Sequence, residues 1–215
     1  MAKFPWPPSA DRLREVRRRG DIVAVTTATG LARIYRTGGR HPQRWNEFRA
    51  VGPVATGRFD PHPLTADSEP AVARGCGVLY AGLSLRTCVA ESFQLARVVD
   101  RRVDRPWLVV FRPRRVLRLL DLAGTWPTRA GASQAIASGP RDRAQAWARE
   151  IRAAYDDIDG VWYRSSMDAG NPAVCLWEPA TDAIPDRPWA NLPLDAPGLQ
   201  LPLGRAARAL GYRVL

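Results

Sequence analysis

Short runs rich in valine, isoleucine, leucine and aromatic residues recur along this chain, separated by proline and glycine. They lie over residues 21–27, 31–36, 78–81, 107–111, 116–120, 160–163 and 173–177. Each has strand composition, and each is too short for a buried helix. With 19 prolines and 17 glycines in 215 residues, long helices are excluded from most of the sequence. Three stretches carry helical signals. Residues 10–19 read as a short polar helix stopped by Gly20. Ser84 is placed to cap a second helix, on which Leu85, Cys88, Val89, Ser92, Leu95 and Ala96 share one face, with Phe93 just beyond it. Glu91 lies at the flank of that stripe, where a carboxylate can be half-buried at the rim of a cleft. A third helix is predicted over residues 141–155. Many short strands with few helices indicate an α+β fold.

The length suits one large domain with a sizeable core. Hydrophobic residues make up 46% and charged residues 25%, which argues against disorder. The net charge of +11 comes almost wholly from arginine, Lys3 being the only lysine. Such a bias reflects a GC-rich genome more than any one contact, although a basic surface still attracts polyanions. Met1 to Ser9 holds three prolines and no long apolar core, unlike a signal peptide. No apolar run approaches the length of a membrane span. Cys76, Cys88 and Cys175 are widely spaced and odd in number, and only His41 and His62 could join them. Neither a disulfide framework nor a metal site is expected. A soluble, cytoplasmic, metal-free protein follows.

Residues 37–64 form a long Gly/Pro/Arg segment with Trp45 and Phe48 as its large anchors. Loops of that length are usually functional or mobile. The proline-rich run 178–202 reads as an ordered wrap or an irregular tail, and 203–215 as a last small element. His41 and His62 read as loop histidines. Trp45, Trp126, Trp147 and Trp189 read as anchors of loops and helices.

An ordered series of motifs resembles the RES-domain family. Ile34-Tyr35-Arg36 resembles the family's first strand and makes Arg36 its arginine. Gly57-Arg58-Phe59-Asp60-Pro61 resembles a Gly-Arg-Trp-Asn-Pro segment, Asp60 adding a negative charge where the family has a neutral amide. Leu79-Tyr80-Ala81 and Ala90-Glu91 resemble its strand–helix unit, and Leu120-Asp121-Leu122 a later strand. Asp159 to Ser165 resembles the segment ending in the family serine, with Ser166 an adjacent candidate. The resemblance covers residues 31–178, between an N-terminal extension with a first strand (1–30) and a proline-rich C-terminal wrap (179–215), within one globular unit.

This resemblance implies an ADP-ribosyltransferase-like mixed β core with flanking helices. It also implies an NAD-degrading toxin of a bacterial toxin–antitoxin pair. NAD would be substrate, with no cofactor and with water or inorganic phosphate as acceptor. Breaking the nicotinamide–ribose bond leaves positive charge on the sugar, as in glycoside hydrolysis. Glu91 would hold a ribose hydroxyl and stabilise that charge. Arg36 suits the pyrophosphate, and Arg58 a phosphate or incoming inorganic phosphate. Tyr80 would stack on nicotinamide, and Ser165, or Ser166, would donate to the ribose or a phosphate oxygen. A helix-turn-helix antitoxin is the expected partner, and a homodimer is allowed.

The residues taken alone permit plainer roles. Arg36 can cover a strand edge or pair with a carboxylate, Tyr80 can be core, Glu91 a solvated helix residue and Ser165 a turn serine. Two other functions stay open: transfer of ADP-ribose to a protein side chain, and a basic module that binds nucleic acid or a partner without catalysis.

Overall fold

A computed structural model describes residues 4–67, 69–168 and 170–215. In chain order the elements are α1 (Ala10–Val16), β1 (Ile22–Val25), β2 (Leu31–Arg36), β3 (Val51–Gly52), β4 (Ala71–Val72), β5 (Val78–Gly82), α2 (Leu85–Ser92), β6 (Val98–Val99), β7 (Pro106–Phe111), β8 (Leu117–Asp121), α3 (Trp126–Arg129), α4 (Arg141–Ala154), β9 (Gly160–Arg164), β10 (Pro172–Trp177), β11 (Ala190–Pro193), α5 (Gln200–Leu210) and β12 (Arg213–Val214). The apolar runs supply seven strands of one eight-stranded sheet, ordered β1-β8-β9-β10-β5-β2-β7-β11. The β8–β9 pair is parallel and the other pairs are antiparallel. The expected α+β class, a mixed core with flanking helices, holds.

Alternation along the strands separates the two faces. On one face, Val161, Ala173, Cys175 and Trp177 pack beneath the helices that carry Leu13, Trp126 and Trp147. Farther along the same face, Ala32 and Leu108 pack beneath α2 and α5 through Cys88, Val89 and Leu203. The opposite face buries Leu31, Tyr35, Leu79 and Phe111 under Trp45, Phe48 and the turn bearing Ala180 and Ala183. Two groups of helices therefore share one face of the sheet with a gap between them.

Several expectations are corrected. The first helix ends at Val16, and a short 3-10 turn follows at Arg19–Asp21. Helix α2 ends at Ser92, and Arg97 takes a left-handed φ of 50°. Leu95 is consequently 83% exposed instead of sitting on the buried stripe, and Ala96 is exposed too. The 37–64 segment has a third large anchor, the fully buried Phe59. The proline-rich stretch contributes β11 to the sheet edge beside β7. It then enters α5, an 11-residue helix in place of the small terminal element expected. Trp126 and Trp147 are buried anchors, whereas Trp189 is 70% exposed with Arg112 stacked 4.4 Å from its ring. Among the described residues, no helix is long and apolar enough to cross a membrane.

His62 lies in the long segment but is completely buried, and neither ring nitrogen finds a hydrogen-bond partner among the described residues. Burial holds its pKa below the ordinary value; Asp60 opposes that effect and Arg49 adds to it. Below about pH 6.5 the unfolded chain therefore takes up a proton that the folded chain refuses, and stability falls with pH. The urea midpoint is expected to drop between about pH 7.5 and pH 5, and to drop less in His62→Leu. Parallel pH curves for the two proteins would show that the imidazole contributes nothing.

Candidate active site

Strands β2 and β5 are neighbours in the sheet, yet they pair at one position, Ala32 with Gly82. Beyond that point they separate, and the cavity opens between them and between the two helix groups, with a volume of about 550 Å³. Its floor is a cross-strand row of paired residues, Tyr163–Ala173–Gly82–Ala32. Three of the four have little or no side chain, and all four line the cavity. Gly82 has a second effect. A Cβ there would lie 3.1 Å from Cys88 Sγ, so its absence lets α2 settle against the sheet. Cys88 completes that contact by donating from Sγ to the Ala32 carbonyl at 3.1 Å. Burial pushes its thiol up to about 12, so it serves as packing and not as a nucleophile.

Ser84 caps α2 by accepting from the Thr87 N–H at 3.1 Å. The helix carries Glu91 to the cavity wall, half-buried. Ser165 lies behind it, 2% exposed, and donates from Oγ to Glu91 Oε1 at 2.6 Å. The Met167 and Asp168 N–H groups both donate to the same Oγ at 3.1 Å. The serine hydroxyl is thus fixed in direction, and it fixes the carboxylate in turn. Asp168 ties this turn back to α2, accepting from Thr87 Oγ1 at 2.7 Å and pairing with Arg86 at 2.7 Å. Of the two candidate serines, Ser166 lines the cavity and Ser165 supports Glu91 from behind. Ser165→Ala would leave two backbone N–H groups without their acceptor. It is expected to lower unfolding free energy by about 1–3 kcal/mol, read from urea unfolding.

The second wall is the Gly57–Pro61 segment. Asp60 is fully buried and accepts from Arg49 Nη2 at 2.8 Å, from the Val54 N–H at 3.0 Å and from the Tyr80 hydroxyl at 2.9 Å. Its charge is therefore matched by Arg49. Only glycine fits at position 57, where a Cβ would lie 2.3 Å from Asp60 Oδ1. Phe59 is buried against Tyr163, with ring centroids 4.8 Å apart. The Phe59 N–H donates to Tyr80 at 2.8 Å, and its carbonyl accepts from Trp177 Nε1 at 3.1 Å. Tyr80 thus presents its ring to the cavity while its hydroxyl is committed to this loop. Burial, with Cys175 and Asp60 nearby, raises the Tyr80 pKa and keeps the phenol neutral.

Arg58 projects from this braced loop into the cavity and donates to the Gly139 carbonyl at 2.6 Å. Burial lowers its pKa, as does the like charge of Arg141. Arg141 begins α4 and donates to Gln94 Oε1 at 3.0 Å. Arg36, at the end of β2, is 3.9 Å from Asp104 and 5.8 Å from the Phe93 ring centroid. Arg33, which reaches Gln43, Trp45 and Glu47, and Arg49 also line the cavity. The lining holds five arginines against one carboxylate, Glu91. A chamber with that balance attracts anions, and its isolated carboxylate is suited to developing positive charge.

Arg36, Arg58, Tyr80, Glu91 and Ser166 thus share one cavity, and Ser165 touches it through Glu91. Sequence reasoning missed Arg141, Gln94 and Tyr163 at its walls. Tyr163 carried a usable signal. It stands two residues before Ser165, and in extended chain that spacing places side chains on one side.

A family model described as the RES domain matches residues 24–203. No curated protein matches the sequence. Among solved structures, the chain resembles one in the crystal structure of the M. tuberculosis MbcT–MbcA toxin–antitoxin complex. The TM-score is 0.54 at 15% identity, over 93% of this chain and 96% of that one.

Proposed function

The chain belongs to the RES-domain family, and from that premise we propose that it is an NAD-degrading enzyme, a glycohydrolase or phosphorylase, acting in the cytoplasm as the toxin of a bacterial toxin–antitoxin pair. The observation that carries this reading is the pairing of Glu91, oriented by a buried serine, with a cavity whose other charged lining residues are all arginines. NAD presents a pyrophosphate beside a sugar that turns cationic, and the two features of the cavity answer those two features of the substrate.

In the reaction the bond between ribose C1′ and the nicotinamide nitrogen breaks. Its electron pair leaves with neutral nicotinamide. Ser165 occupies Glu91 Oε1, which leaves Oε2 to accept a ribose hydroxyl and to face the developing charge. Arg36 and Arg58 hold phosphate oxygens. Tyr80 offers its ring face to nicotinamide, its hydroxyl being used by Asp60 and Phe59. Ser166 contributes a hydroxyl at the wall. Water attacking C1′ gives ADP-ribose and a proton; inorganic phosphate attacking there gives the phosphorylated sugar. A partner antitoxin, carrying a helix-turn-helix part, would neutralise the enzyme by covering this opening.

The test is incubation of purified protein with NAD, with and without phosphate, while nicotinamide release is followed. Release is expected, and the phosphate dependence of the sugar product identifies the acceptor. Intact NAD in both arms would overturn the reading.

A further inference from the structure

Tyr163 combines three properties found together nowhere else in the cavity. It is 5% exposed, it lines the cavity, and its hydroxyl has no hydrogen-bond partner among the described residues. Its neighbours make this unusual. The other buried tyrosine hydroxyls at positions 35, 155 and 212 all meet a protein acceptor. The hydroxyl is not one of the enclosed polar atoms that lack a partner, so it opens onto the cavity and is available to a molecule bound there. The ring is not free to seek a partner. It is held by Phe59 at 4.8 Å and by the β9–β10 pairing of Tyr163 with Ala173, a small neighbour that leaves the hydroxyl end uncovered. Burial and the Glu91 charge raise its pKa well above the ordinary value, with Arg58 opposing, so the phenol stays protonated. A neutral phenol in that position is a hydrogen-bond donor whose acceptor must come from outside the chain.

We propose that Tyr163 is a substrate-contacting residue whose hydroxyl donates to the ribose that Glu91 holds, completing a three-point grip with Glu91 and Arg58. The inference rests on the reading of the cavity as an NAD-cleaving site. The sugar hydroxyl would accept from Tyr163 while donating to Glu91 Oε2, and each bond would strengthen the other.

Tyr163→Phe keeps the ring and removes only this donor. Nicotinamide release by the full chain is expected to fall about tenfold to a hundredfold in kcat, with little change in KM. The Tm is expected to stay level or rise, because the lost hydroxyl bonds no group among the described residues. Tyr163→Leu, which also removes the packing on Phe59, should lower the Tm as well. If the wild type cleaves NAD and Tyr163→Phe matches it, the inference fails while the cavity's assignment stands. A Tyr163→Phe protein that loses activity and Tm together overturns the inference in favour of a structural hydroxyl. A wild type that leaves NAD intact overturns the assignment, and this inference with it.

Discussion

Glu91→Gln is expected to lower NAD consumption by about 10²–10³-fold with the fold intact. The amide oxygen can still accept from Ser165, now at 2.6 Å, and Glu91 makes no other side-chain bond among the described residues. The substitution therefore removes charge and little else. The loss should appear in kcat, since the carboxylate acts on charge that exists only as the glycosidic bond breaks. Glu91→Ala removes the acceptor too and should be at least as slow. NAD consumption by either variant at the wild-type rate would end the assignment of Glu91.

Asp60→Ala is expected to have the largest effect on stability, about 3–5 kcal/mol, because it strands Arg49 and unties the Gly57–Pro61 wall from Val54 and Tyr80. The carboxylate is fully buried, Arg49 retains 24% side-chain exposure, and both the Val54 N–H and the Tyr80 hydroxyl end on the same group. For a chain of this size that corresponds to a fall in Tm of roughly 6–20 °C. Asp60→Asn keeps an acceptor for Tyr80 and loses the matched charge, so it should fall between the wild type and alanine. Activity should drop with the alanine substitution as well, since Arg58 projects from the loop that Asp60 braces. An Asp60→Ala protein that melts with the wild type would show that the bonds drawn to this carboxylate carry no net energy.

What the sequence made legible was local. The β-branched runs became strands because they fit a pleated sheet, and Ser84 became a cap because its hydroxyl meets an otherwise orphaned N–H. Arg36, Tyr80 and Glu91 were placed on two strands and a helix, and each lies there. Contacts made across the chain were not legible. Asp60 looked like an added charge at a loop, because its partner Arg49 approaches it only after the loop folds back. The length of α2 was overestimated because Leu95 and Ala96 continue the helical period, while the left-handed turn at Arg97 carries no glycine to announce it. Helix α5 was hidden by Pro202, which lies in its first turn, where a missing N–H has little cost. Arg141 read as a helix start, and only the packing of α4 brings it beside Arg58.

The lone Ala32–Gly82 rung has a mechanical consequence. A sheet joined there by so little is a hinge line, and its two leaves are held at their spacing by what is wrapped around them. A molecule gripped from both leaves supplies cross-ties that the backbone omits, so it should stiffen the slab and slow amide exchange along β2 and β5.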